Sequence, residues 1–324
     1  MRSALPRPLD RLRLPAIVAP MFLTSNPDLV VAACSSGLLG ALPALNQRTS
    51  AGFEAWLNEI EERLGSVSCP APHAVNLIVH KSNPRLHADL EIVVRHKVPV
   101  VITAFGAVRE VVDAVHSYGG LIFHDVASRR HAEKVAESGV DGLIALGAGA
   151  GGHTGHLSPF AAIAEVRQVF GGLIILAGAM SCGSDIVAAR AMGADMVSMG
   201  TRFIATREAA VSDVQKQMML AAAAADVLIT PNLTGASATF MRPSIIAAGL
   251  DPDDLPHFGS PDATRESKSW RDIWSAGHGV GSISDVPSVA ELCDRLQQEY
   301  QEAIHSLAVD PFRAVRHANQ GEAR

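Results

Sequence analysis

The chain has 324 residues, 48% of them hydrophobic, and a formal net charge of −6. Its acids and bases are interspersed, which excludes a nucleic-acid surface or polybasic membrane patch, and no run approaches the roughly 20 apolar residues that a spanning helix needs. Cys34, Cys69, Cys182 and Cys293 lie far apart without a CxxC pair, and residues 1–14 lack the apolar core of a secretory signal. Reduced thiols in a soluble, cytoplasmic protein are expected.

Eight short apolar runs follow one another, at 16–20, 38–42, 73–78, 98–102, 120–123, 142–146, 173–177 and 196–199. They are continuous rather than alternating, as parallel strands buried on both faces require. Helical segments lie between them, among them 53–63, 108–116, 128–138 and 185–192. Such a chain closes as a barrel or stays open as a doubly wound sheet. The count of eight favours closure, because inward side chains then fill a core of their own. The expected fold is α/β, a (β/α)8 TIM barrel over residues 1–205.

After Gly200 the rhythm stops. Residues 206–265 read as a small, mostly helical inserted subdomain over the barrel mouth. It has an Ala/Met-rich helical run at 214–226, a polar loop at 230–237, a second helix around 244–249 and a Pro/Asp/Gly-rich loop at 251–262. Residues 266–324 form a return segment that completes the site, a helix at 286–307 and a polar tail after Phe312.

Barrels commonly bind phosphate on the loops after strands seven and eight, helped by a helix N-terminus. Here strand seven runs into Ala177-Gly178-Ala179-Met180 and strand eight into Gly200-Thr201-Arg202-Phe203. Glycine permits close approach to backbone N–H groups, a helix dipole favours the anion, and Thr201 adds a hydroxyl. One such loop is explained by a tight turn alone; two at the two expected strand ends point to a ligand. Gly147, Gly149 and Gly152 also match GxGxxG, but no helix follows at once and position 172 is glycine rather than an acid, so a dinucleotide fold is set aside.

The run from Gly147 to His156 sits where strand six ends. Its glycines let the backbone pass close to a flat ligand and place His153 over it, where an imidazole serves as general base or as hydrogen-bond donor to an anion. His156 is read as solvent-exposed, and Ser158-Pro159 as the cap and first residue of the next helix.

Together these residues resemble the nitronate monooxygenase family, formerly called 2-nitropropane dioxygenases. Gly151-Gly152-His153-Thr154-Gly155 resembles its AGGH(x)G loop, Pro20-Met21 its turn after the first strand, and Val75-Asn76-Leu77 its third strand. Ala177-Gly178-Ala179 resembles its phosphate loop, Met199-Gly200-Thr201-Arg202-Phe203 its MGTRF motif, and Ile273-Trp274-Ser275-Ala276-Gly277 its IWSAG segment. The resemblance implies FMN and oxidation of alkyl nitronates, with nitroalkanes as further candidates, by dioxygen to carbonyl compounds and nitrite. By the same carry-over His153 and Ser275 are catalytic, Asn76 holds the isoalloxazine edge and Met21 packs on the ring. Ala19, Pro20, Asp125, Gly151, Gly152, Ala177, Gly178, Ala179, Gly200, Thr201 and Trp274 complete the cofactor cradle. No metal is implied, and a homodimer is a candidate assembly.

Two positions depart from the family pattern. Some members carry Lys after the His at the end of strand five, where this chain has His124-Asp125, leaving a helix dipole or Lys268 to stabilise a reduced flavin. His278 stands where Gln or another residue is expected, which bears on the pocket. Lys268-Ser269-Trp270-Arg271 reads equally as a pocket wall or a capping cluster, Met218 and Met219 as core, and Asp141 and Asp195 as stabilising residues on the opposite face. Two alternatives stay open: an FMN-dependent NAD(P)H reductase of enoyl thioesters or quinones on the same barrel, and a flavin-free, phosphate-binding barrel enzyme.

Overall fold

The computed structural model describes residues 5–106, 109–257, 259 and 270–309. Eight parallel strands form a closed barrel in sequence order: β1 (Ala16–Val18), β2 (Leu39–Pro43), β3 (His73–Ile78), β4 (Val100–Ala104), β5 (Leu121–Val126), β6 (Gly142–Leu146), β7 (Leu173–Ala177) and β8 (Met196–Met199). Closure is made by β8 on β1, with Val18 opposite Met199. Strands β4 and β5 run two or three residues past the expected apolar runs, which brings His124 and Asp125 inside a strand.

Each strand is buried on both faces, as the unbroken apolar runs require. Inward residues such as Ile17, Val100, Ile102, Phe123, Ile144 and Ile175 form one cluster inside the barrel. Leu9 joins it from the 3-10 turn at Leu9–Arg11, so the Arg/Pro-rich start of the chain contributes a fully buried plug. Outward residues pack under the helices α1 (Pro27–Ser35), α2 (Ser50–Gly65), α3 (Leu86–Arg95), α4 (Arg109–His116), α5 (Arg129–Ala136), α6 (Pro159–Val169) and α7 (Gly183–Ala191). Side-chain caps start several of these: Asn26, Thr49, Ser128 and Ser158 each accept a backbone N–H of the first turn.

The expected stabilising role of Asp141 and Asp195 is visible in their partners. Asp141 accepts from Ile122 N at 2.8 Å and from His116 at 2.9 Å. Asp195, buried, accepts from Ile174 N and from Arg167, both at 2.9 Å. Removing a buried carboxylate that satisfies a strand amide leaves that amide and the guanidinium without it. Asp195→Ala should therefore lower unfolding stability by about 3 kcal/mol, read from the urea midpoint, at the end of the barrel remote from the site.

Beyond β8 come the short α8 (Thr201–Ile204), α9 (Asp213–Ala221) and α10 (Arg242–Ala247), with α11 (Val289–Ala308) packed on α7 and α1. The region also holds an antiparallel pair, β9 (Val227–Thr230) and β10 (Ala238–Met241), which flanks the expected polar loop. Met219 is fully buried and Met218 packs against the same cluster, as expected of core. Lys268, Ser269 and residues 258 and 260–262 of the loop at 251–262 lie outside the described residues. Among the described residues no helix is long and apolar enough to cross a membrane.

Candidate active site

A cavity of about 480 Å³ opens at the C-terminal ends of the barrel strands. Pro43, Ile78, Ala104, Leu146, Ala177 and Met199, the last residues of six strands, line it. All fifteen residues singled out from the sequence also lie on its wall.

The first loop supplies Ala19, Pro20 and Met21. Its shape is set by Asn46, whose amide donates to Met21 O at 3.1 Å and Ser25 O at 2.7 Å, while its oxygen accepts from Leu23 N at 3.0 Å. Asn76 on β3 is buried and donates to Ile102 O at 3.3 Å; its amide oxygen accepts from no other described residue. That leaves a polar edge open to the cavity, which Asn76 lines.

On the opposite side, β7 leads into Gly178 and Ala179, both at positive φ, and β8 leads into Gly200 and Thr201. The turn's own backbone hydrogen bonds use none of these four amides. Thr201 Oγ1 accepts from Gly277 N at 2.8 Å and keeps its own proton to donate. Amides and a hydroxyl gathered at two adjacent strand ends suit a phosphate. Of the expected helix N-terminus a single turn is present, with Gly200 as the N-cap and Thr201 as the first residue of α8. The helix after β8 has four residues, and the N-terminal amide of α7, at Gly183, donates to the carboxylate of Glu299 at 2.6 Å.

The histidine loop follows β6. Its backbone is clamped by the β9–β10 hairpin: Thr239 N donates to Gly152 O at 2.9 Å, Thr154 N to Ser237 O at 3.0 Å, and His153 bridges to Ala238. Ser275 Oγ accepts from Gly152 N at 2.9 Å and meets Thr239 Oγ1 at 3.2 Å. Its single proton goes to Thr239 or to a ligand, so Ser275 buttresses the loop as well as facing the cavity. Only Gly151 and Gly152 among the loop's glycines line the cavity. Gly149 and Gly155 are required elsewhere: a Cβ on Gly149 would sit 2.4 Å from His278 Nδ1, and one on Gly155 would sit 2.0 Å from Leu146 O. His278 thus packs behind the loop and does not line the pocket. His156 is exposed, as expected, and Ser158 caps α6.

His153 meets the rings of Phe105, centroids 4.6 Å apart, and Trp270, 5.7 Å apart. Desolvation lowers its pKa to about 4, so the imidazole is neutral at physiological pH. His124 points away from the cavity, its Nδ1 2.7 Å from Thr103 Oγ1 and its ring against His131. Asp125, one residue on, faces the cavity instead, and burial raises its carboxyl to about 7. Among the described lining residues Arg271 is the one cation, and it is paired with Asp272 through two contacts of 2.7 and 2.8 Å.

A raised carboxyl pKa means that the folded state holds the proton more tightly than the unfolded chain. The stability it contributes is full below the ordinary carboxyl range and is lost as pH rises through about 7. Asp125→Asn should therefore raise the thermal midpoint of the flavin-free protein at pH 8 and leave it nearly unchanged at pH 4. Equal gains at both pH values would contradict the assigned burial.

Sequence reasoning missed Phe105, Asn46 and Thr239. Thr239 had one faint signal, the alternation in Ala238-Thr239-Phe240-Met241 that turns it towards the loop. Arg202, in the MGTRF-like motif, is buried and binds Asp285 at 2.6 Å, tying α8 to the return segment rather than facing the cavity.

Comparison with known proteins agrees with this architecture. A nitronate monooxygenase of Paraburkholderia phytofirmans is 25% identical over 93% of this chain and 96% of its own length. The (3aS,4S,5R,7aS)-5-hydroxy-7a-methyl-1-oxo-octahydro-1H-indene-4-carboxyl-CoA dehydrogenase of Rhodococcus jostii is 28% identical over 68% of this chain and 60% of its own length. Three of the curated relatives are matched over only 46%, 60% and 64% of their length. The nitroalkane oxidase structure from Streptomyces ansochromogenes superposes with a TM-score of 0.79 at 24% identity, over 92% of this chain and 99% of that one, a likeness of fold. The family model for nitronate monooxygenase matches residues 9–251, three quarters of the sequence, and the chain belongs to that family of flavin-dependent oxidoreductases.

Proposed function

We propose that the protein uses FMN to oxidise alkyl nitronates with dioxygen, giving carbonyl compounds and nitrite. The observation that carries this reading is the convergence, in one cavity, of a phosphate-type donor set at Gly178, Ala179, Gly200 and Thr201 with His153 and Ser275 on the wall near Trp274. When bound, the flavin supplies the redox chemistry, taking electrons from the nitronate and passing them to dioxygen.

The chain's own residues bind, orient and exclude water. The amides after β7 and β8 hold the phosphate, Ala19, Pro20, Met21 and the small residues Gly151, Gly152 and Ala177 frame the flat ring, and Asn76 meets its polar edge. His153, neutral and beside the aromatic rings, accepts a carbon proton from a nitroalkane or donates to the oxygen of a nitronate; Ser275 adds a hydroxyl donor. Asp125 is a group whose charge at neutral pH is poised between its two states, so it does not serve as a fixed counter-ion.

An FMN-dependent reduction of enoyl thioesters or quinones by NAD(P)H is the second reading; the similarity to the Rhodococcus dehydrogenase, whose name is that of a CoA thioester, supports its thioester substrate class. One experiment separates them. The absorbance spectrum of purified protein is recorded, then nitronate is added without oxygen, and NADH or NADPH to a parallel sample. A flavin spectrum that bleaches with nitronate and recovers in air supports the nitronate reading. Bleaching only with the nicotinamide moves the protein to the reductase branch. A colourless protein that FMN does not reconstitute sinks the cofactor assignment.

A further inference from the structure

Asp125 is the one carboxyl among the described residues of the cavity wall. On β5, Phe123 belongs to the cluster inside the barrel and Val126 to the one beneath the helices, so strand alternation puts Asp125 on the inner side. Ile144, opposite it on β6, is apolar and lines the cavity, as do Ala104 and Leu146 at the ends of the flanking strands. Beyond Ala104, whose carbonyl accepts from Val79 N at 2.9 Å, Phe105 continues the apolar wall from a left-handed turn with φ +68°. In this setting the Asp125 side chain makes no hydrogen bond or ion pair with any described residue.

Charge on this wall is otherwise small. Arg271 is paired with Asp272, and the desolvated His153 is neutral at physiological pH. Behind the strand, His124 meets Thr103 and His131, and burial lowers it to about 3, so it is neutral too; His80 stands beyond Phe105. The described wall thus offers no unpaired cation when two electrons reach a flavin here, and charge added to an apolar site is costly until it is neutralised. A carboxylate without a partner can neutralise it by taking a proton. We propose that Asp125 is the proton acceptor coupled to flavin reduction: as two electrons arrive from the substrate, its carboxylate binds one proton from solvent, and it releases that proton when dioxygen removes the electrons. Only the O–H bond forms and breaks at Asp125, and the negative charge lost there offsets the one gained on the cofactor. The inference rests on the flavin reading. Burial, which raises this carboxyl to about 7, brings both of its states within reach near neutral pH and agrees with the role.

The test is the midpoint potential of the bound flavin, followed spectrally without oxygen against reference dyes from about pH 5 to 9, in the parent, Asp125→Asn and Asp125→Glu. Protons that the flavin itself takes are common to all three and cancel in the comparison. Below about pH 6 Asp125 holds its proton in both redox states, so the parent and Asn curves should run parallel. Above about pH 7 the parent should take up one more proton per electron pair than the Asn variant. Its reduction constant should then fall a further tenfold per pH unit, about 30 mV for a two-electron couple. Asp125→Glu keeps the carboxyl and should keep the steep limb. Redox-difference infrared spectra at about pH 8 should show a protonated-carboxyl C=O band appearing on reduction of the parent and none in Asp125→Asn. Carbon-13 labelling of aspartate moves that band in the parent itself, so the result does not depend on the variant folding. Parallel curves over the whole range, or no such band in the parent, overturn the proposal. Neither readout needs nitronate turnover: a steep limb in a protein that bleaches only with NAD(P)H supports the proposal and rejects the nitronate reading. A protein that holds no flavin overturns both.

Discussion

Replacing His153 with Ala should lower kcat/KM for a neutral nitroalkane by about 10²- to 10⁴-fold, the usual range for a lost general base. For a preformed nitronate the loss should be smaller, because the carbon proton is already gone and only a hydrogen bond to the anion is removed. The pH dependence separates this reading from an ordinary histidine. Desolvation brings the imidazole down to about 4, so its neutral, basic form prevails at every pH above that. Rates with a nitroalkane should show no histidine step near 6.5 and should fall only as the pH approaches 4. Anaerobic stopped-flow bleaching of the flavin with both substrates, from about pH 4 to 9, measures all three points. A variant that bleaches as fast as the parent with both would leave His153 without a chemical role.

The second large effect is on the fold. In Gly155→Ala the new methyl would lie 2.0 Å from Leu146 O, 3.1 Å from the Leu146 carbonyl carbon and 3.6 Å from Ala127 O. All three are backbone atoms at the ends of β5 and β6, where no flexible side chain can give way. The loop or the strand end must move, at a cost of about 3 kcal/mol or more. Because His153 lies two residues earlier, flavin retention and stability should fall together. Urea midpoints and fluorescence of released flavin check this, and parental values in both would show that the loop runs elsewhere.

The barrel was legible because parallel strands covered on both sides must be written as unbroken apolar runs, and eight of them recur. The phosphate-type loops and the histidine loop were legible for a related reason: their small residues fall immediately after those runs. What stayed hidden depended on where side chains point. The apolar run of β5 ends at Phe123, but the strand continues to Val126, and period-two alternation then turns His124 outward and Asp125 into the cavity. The β9–β10 hairpin has strands of four residues, and Val227 follows an alanine-rich run with strong helix propensity, so local preference masked it. Nothing in Ala104-Phe105-Gly106 announces a left-handed phenylalanine; that conformation is imposed by contacts with β3 and with the histidine loop. The glycines were visible, but two of them answer to Leu146 and His278 rather than to a ligand.

The site also has a place in time. Ser275 reaches Gly152 across 123 positions and Gly277 reaches Thr201 across 76, so the wall that holds the histidine loop arrives long after the eight strands have been made. During synthesis at roughly 5–20 residues per second, a chain with its barrel complete still waits several seconds for this segment to leave the ribosome. In that interval the strand ends lack the partners that shape them for a cofactor. Flavin capture is therefore a late event in biogenesis, coupled to the return of residues 273–279, and a chain stopped before them would fold much of its core and remain colourless.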